Sequence, residues 1–285
     1  MTIPSETRAA TERRVARVHD ATLVNETTIH RAREAIMPGL WREHDPFLLM
    51  MEDRFQTGAF GWHPHRGIET ITYVIDGHLE HHDNHGGGGV LGPRDIQLMT
   101  AGRGILHVEE PPKDETVYVL QLWLNMPAAE KMSEPRYQDL RAAEMPRRVE
   151  PGAEVTIYSG SSNGQRADTV DHVPLTLVEV DLAAGVSAVQ DLPGSYNGFV
   201  HVIHGEGRFG ADATAGSAGQ TLWLERATSA RDSTIAVTAE TPLRVLIAAG
   251  PPLNEPVVTS GPFVMNTHEQ INQAYADYRA GHFNP

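Results

Sequence analysis

His63-Pro64-His65-Arg66-Gly67-Ile68-Glu69-Thr70-Ile71-Thr72-Tyr73-Val74-Ile75-Asp76-Gly77 carries two signals at once. Its second half, from Ile71 to Ile75, is rich in β-branched side chains and ends on an Asp-Gly turn dipeptide, so it reads as a strand entering a hairpin. Its first half puts two histidines at i and i+2, which on a strand point to the same face. Pro64 between them has no N–H to give a ladder, which confines the segment to an edge or a rim. Rims are where ligand sites open.

Strand signals continue outward from this stretch. Thr116 to Leu124 is nearly all apolar, as expected of a long strand covered on both faces. Pro127 to Pro151 differs in texture: it is rich in Glu and Arg, is broken by Pro135 and Pro146, and reads as a surface connection between two units. A second loop signal, Ser159 to Gly164, follows it. Beyond that loop Leu175 to Leu182, Phe199 to Ile203, Thr221 to Leu224, Thr234 to Val237 and Leu243 to Ala248 return to strand texture, with turn residues between them. Two successive sets of short strands predict an all-β chain of two sandwiches or small barrels in tandem. The end of the chain is helical. Thr267 and Gln270 make a capping box, Ile271, Ala274, Tyr275 and Tyr278 follow at helical spacing, and Gly281 is the stop.

Composition excludes several classes. The 285 residues carry 23 Lys+Arg against 37 Asp+Glu, a formal charge of −14, which is unsuited to direct binding of a nucleic-acid backbone. There is no cysteine, so disulfides, zinc ribbons, iron–sulfur clusters and thiol nucleophiles are all absent. No apolar run reaches the ~20 residues of a membrane span, and Met1 to Val15 is too polar for a secretory signal. The expectation is a cytoplasmic protein with no membrane partner.

Histidine is the residue out of proportion. Of 15, seven fall between positions 63 and 107: His63, His65, His78, His81, His82, His85 and His107. His107 and Glu109 repeat the i, i+2 arrangement of His63 and His65. If both segments line one barrel wall, three imidazoles and one carboxylate converge. Nitrogen and oxygen donors without sulfur suit iron, manganese, nickel, cobalt or copper, and zinc binds them too. Glu69 has three readings: an outer partner for an imidazole N–H, a ligand in place of Glu109, or a strand-end ion pair, and the first ranks highest. His78, His81, His82 and His85, leading into Gly86 to Gly89, read as the polar tip of a flexible hairpin in preference to an accessory metal tract. Gly102-Arg103-Gly104 is no phosphate loop, and no serine sits in a nucleophile elbow.

Trp62 to Thr70 and Met99 to Glu109 resemble the two metal-binding motifs of the pirin family of bicupins. Leu120 to Asn125, Glu130-Lys131-Met132 with Glu134-Pro135, and Gly261 to Asn266 are similar to that family as well, so the resemblance runs from about Asp45 to the C-terminal helix. It departs from the general cupin pattern in having seven residues between Glu69 and Gly77, and Gly102 where proline is usual; both are pirin features. The resemblance implies two tandem cupin β-barrels closed by a C-terminal α-helix. The N-terminal metal-binding cupin would span residues 1–135, and a C-terminal cupin without ligands residues 136–285. It implies one divalent transition metal, iron(II) first and manganese, nickel, cobalt, copper or zinc as alternatives. Its ligands would be His63, His65, His107 and Glu109, with Glu69 behind them.

The activity so implied is that of a metal-dependent quercetin 2,3-dioxygenase. It acts on a flavonol-like aromatic and dioxygen, with Glu109 doubling as the catalytic base. The alternative is a redox- or metal-dependent regulator that binds a protein partner, transcriptional or metabolic, without physiological turnover. In the C-terminal unit Leu192 to Asn197 offers no His-x-His, and His201 and His204 at i, i+3 fall on opposite strand faces, so that barrel is expected to be metal-free.

Overall fold

The two large sheets of the molecule pack face to face, and the residues between them form its largest core. A computed structural model describes residues 10–227 and 232–283. The first nine residues, part of the stretch read above as too polar for a secretory signal, lie outside it. In the first unit a seven-stranded sheet runs in the order Arg136–Leu140, Ile96–Thr100, Ile68–Asp76, Thr116–Asn125, Phe47–Gln56, His30–Ile36, Thr22–Glu26. A four-stranded sheet faces it, in the order His63–His65, Ile105–Glu110, Leu79–Asp83, Gly88–Leu91. The second unit repeats the plan with a seven-stranded and a five-stranded sheet. The result is a bicupin of two tandem barrels with one C-terminal helix, as expected. Among the described residues no helix is long and apolar enough to cross a membrane.

Alternation explains why the central strands are largely buried on both faces. On Ile68–Asp76, Ile71 and Tyr73 face the second unit; on Thr116–Asn125, Leu120, Leu122 and Leu124 do the same. They meet Tyr158, Leu177, Phe199, Trp223 and Leu246. The intervening residues Thr72, Gln121 and Trp123 face the inside of the first barrel. Thr116–Asn125 is thus covered on both faces.

The boundary drawn at 135/136 divides the chain but not the sheets. Thr11–Glu12 and Val15–Asp20 pair with strands of the second unit, Asp232–Ala239 and Gln220–Leu224. Arg136–Leu140 pairs with Ile96–Thr100 in the first unit. The segment Pro127 to Pro151 is therefore more than a surface connection. It adds an edge strand to each large sheet, the second being Arg147–Glu150. Edge strands need little apolar patterning, which is why these two read as loop. The segment also holds Lys131, 1% exposed, whose ammonium donates to the Gly67 carbonyl, Asn125 Oδ1 and the Val264 carbonyl at 2.7, 2.7 and 3.0 Å.

The helix His268–Arg279 begins as read, with Thr267 accepting from the Gln270 N–H and Gln270 reaching back to the Thr267 N–H. It docks on the hairpin of Val258–Ser260 and Phe263–Met265 through Ile271 and Ala274. Asp277 on the helix accepts from Arg66 at 2.7 Å, so the end of the chain grips the residue that follows His65.

Candidate metal centre

Pro64 occupies the place its chemistry predicts: His63–His65 is the edge strand of the four-stranded sheet. Register then assembles the site. His63 stands opposite His107, and on the other side His107 faces Asp83 while Glu109 faces His81. All of these side chains point into the barrel. Ring centroids lie 4.9 Å apart for His63 and His65, 4.4 Å for His63 and His107, and 5.0 Å for His65 and His107. Nitrogens of the three imidazoles fall within 4.8 Å of one another, close enough to share one ion. Trp123 stands edge-on to His65 at 5.0 Å and closes that side.

Protonation suits ligation. Burial pushes the pKa of His65 down to about 3 and that of His107 well below the usual value, and it lowers His63 too. The three rings are therefore neutral near pH 7, as a metal requires. His63 Nδ1–H donates to the Gly61 carbonyl at 2.8 Å, which fixes its tautomer and leaves Nε2 with a free lone pair. Both ring nitrogens of His65 and of His107 are buried without a hydrogen-bond partner. Unanswered polar atoms in an interior are costly, and neutral imidazoles of this kind fit a first-row transition ion.

Glu109 is 5% exposed, and burial raises its pKa to about 7 against the hydrogen bonds from Thr72 and Gln121, at 3.1 and 2.8 Å. Those two bonds aim the carboxyl group at the cavity. As the side chains stand, Glu109 forms a close group with His107 and His81 rather than with His63 and His65. A cavity of about 40 Å³ adjoins the site, walled by Phe55, Phe60, His63, Thr72, Glu109 and Gln121.

Glu69 is not beside the imidazoles of His63, His65 or His107. It shares a strand face with Ile71 and Tyr73, toward the second unit, where it accepts from Thr100 Oγ1 at 2.8 Å and from the His172 N–H at 3.3 Å. Gly67, at φ +77°, turns the chain between strands of different sheets, so the parity of His65 does not carry over to Glu69. The histidine-rich hairpin is a further correction. His78 and His82 are exposed, but His81 is fully buried on the strand Leu79–Asp83. The alternation Leu79, His81, Asp83 was the available signal, masked by the glycines that follow. In the second unit His201 is buried and His204 exposed. Both metal-capable groups among the described residues lie in the first barrel.

Two family models match the chain: one described as Pirin over residues 26–124, the other as the Pirin C-terminal cupin domain over residues 177–284. A pirin-like protein of Solanum lycopersicum is 40% identical over 239 residues, covering 83% of this chain and 81% of that one. The Pirin of Homo sapiens is 37% identical over 254 residues, covering 87% and 86%. Among solved structures, a quercetin 2,3-dioxygenase from Acinetobacter baumannii superposes with a TM-score of 0.84 at 27% identity, over 95% of this chain and 98% of that one.

Proposed function

The chain belongs to the pirin family, and on that premise we propose that it is a metal-dependent dioxygenase of the quercetin 2,3-dioxygenase type. It would use dioxygen to open the ring of a flavonol-like aromatic in the cytoplasm. The observation that carries the reading is the set of three neutral imidazoles, the half-buried His63 with the buried His65 and His107, the latter two with no hydrogen-bond partner, beside a buried carboxyl group at a cavity. His63, His65 and His107 would hold one divalent ion, iron(II) first. Glu109, which clusters with only one of them, would be the labile fourth donor. A bound ion supplies Lewis acidity and open positions for substrate.

The chain's own residues do the rest. Glu109 takes the proton of the flavonol 3-hydroxyl, and a pKa near neutrality matches that task. Thr72 Oγ1 and Gln121 Nε2 orient the carboxylate while it does so. Phe55 and Phe60 on the cavity wall keep water from the activated ring. In this reading the N-terminal cupin carries the chemistry and the C-terminal cupin no ion.

One observation favours the alternative, a metal-dependent regulator of a protein partner. The cavity of about 40 Å³ is far below the ~300–1,000 Å³ of ordinary small-molecule sites. It takes dioxygen or water as it stands, and a flavonol enters only if the cavity wall opens.

The test is anaerobic purification with metal analysis, then quercetin turnover on protein loaded with iron, manganese, nickel, cobalt, copper or zinc. The expected result is one equivalent of metal and turnover, both lost in His107→Ala and both kept in Glu69→Gln. Metal without turnover under any loading supports the regulator instead. Protein that takes up no metal would rule out both.

A further inference from the structure

His81 was not among the expected ligands, and the proposed reaction makes no use of it. It stands directly across the ladder from Glu109, and its ring centroid is 5.3 Å from that of His107. Donor atoms of His81, His107 and Glu109 all lie within 4.8 Å of one another, and all three residues are buried. At metal–donor distances of about 2.0–2.2 Å, small side-chain rotations bring such a set onto one ion. Both ring nitrogens of His81 are buried without a hydrogen-bond partner. Asp83 Oδ2 is 3.5 Å from His81 Nε2, too far for a strong hydrogen bond, and Asp83 Oδ1 is taken by the N–H groups of His85 and Gly87. A Cβ on Gly87 would lie 2.2 Å from the Tyr137 ring, so this glycine lets Tyr137 pack at 5.3 Å from His81 and wall the group off.

We propose that His81, His107 and Glu109 form a second position for a divalent transition-metal ion, beside the three-histidine position and exclusive of it. Exclusivity follows from His107. A neutral imidazole has one lone pair to give, because its other nitrogen carries the proton, so it serves one ion at a time. The two positions differ in donor balance, three imidazoles with Glu109 only as a labile fourth donor in one, and two imidazoles with that carboxylate in the other. Copper and nickel favour the first, and manganese, with its preference for oxygen, favours the second. One ion can thus exchange His63 and His65 for His81 without leaving the barrel, with His107 and Glu109 serving either position. The inference rests on the three-histidine reading only through the shared His107 and Glu109.

Copper(II) titration of the full-length, chelator-stripped protein tests this. Stoichiometry is read after gel filtration, and imidazole donors are counted from nitrogen hyperfine structure in electron paramagnetic resonance. Wild type should bind one copper with three nitrogens, and so should His81→Ala. The double variant His63→Ala, His65→Ala should still bind one copper, roughly 10–100-fold more weakly, with two nitrogens. Adding His81→Ala to it should abolish binding. A folded double variant without copper overturns the second position and leaves the three-histidine reading standing. Loss of copper from His81→Ala alone, with the double variant still loaded, sinks the three-histidine reading and leaves the second position. Copper retained by the triple variant overturns the second position. Should the double variant unfold, pulsed resonance on manganese-loaded wild type decides: two nitrogens support the second position and three overturn it.

Discussion

Phe60 is part of the wall of the cavity beside His63. Its ring packs edge-on against Phe55 at 4.9 Å and against His30 at 4.8 Å, and Phe60 itself lies just ahead of the ligand strand. Nothing on that ring donates to an ion, so its removal should separate substrate access from metal binding. Phe60→Ala should leave the metal content unchanged and lower KM for quercetin several-fold, as measured by steady-state kinetics on the iron-loaded enzyme. An unchanged KM would mean that the ring is not the obstacle to a flavonol. That His63, His65, His107 and Glu109 line one barrel was legible because i, i+2 pairs keep their parity within one strand. The place of Glu69 was not, since the turn at Gly67 resets that parity. The backbone there is fixed by close approach: a Cβ on Gly67 would lie 2.1 Å from the Val264 carbonyl oxygen. No local pattern announces a contact made by residues almost two hundred positions away.

Strands hide information of a different kind. The interior strands were legible from their apolar runs, whereas Arg136–Leu140 and Arg147–Glu150 were not, because an edge strand buries too little to need alternation. A polar residue inside an apolar strand is harder still to assign, and His201 is the instance on Asn197–His204. It is 1% exposed, with Nδ1 3.0 Å from Thr221 Oγ1, and burial, with the Arg33 charge adding, lowers its pKa to about 3. That lies below the value near 6.5 of an unfolded chain. As pH falls, the unfolded state takes up the proton first. The ring's contribution is therefore full above about pH 6.5 and drains away toward pH 3. His201→Gln removes the titrating group. Between pH 7 and pH 5 the wild type should lose about 2 kcal/mol more stability than this variant, as read from urea unfolding at the two pH values. Equal losses would mean that the folded protein protonates the ring without penalty.

The two barrels are distinct in sequence and joined in structure. Residues 11–20 come first in the chain and complete sheets of the second unit, while the helix His268–Arg279 comes last and holds Arg66 of the first. Between the large sheets, Tyr73 of the first unit donates to Glu179 of the second, which also pairs with Arg94 of the first. Glu179 is fully buried, and a buried carboxylate is tolerated only while its partners are in place. Around this network lies an apolar core drawn from both units, with Phe47 5.0 Å from Phe199 and 6.1 Å from Trp223. Separating the barrels would expose that core and strand the charge. Chains of two units often unfold in steps, yet this one should unfold in a single transition, with circular dichroism and tryptophan fluorescence coincident. Phe47→Ala truncates a side chain with no exposure in the shared core. It should cost about 3–5 kcal/mol and move the whole transition to lower denaturant. A second transition, or a shift confined to one probe, would show that each barrel is stable by itself and that the crossed termini merely tether them.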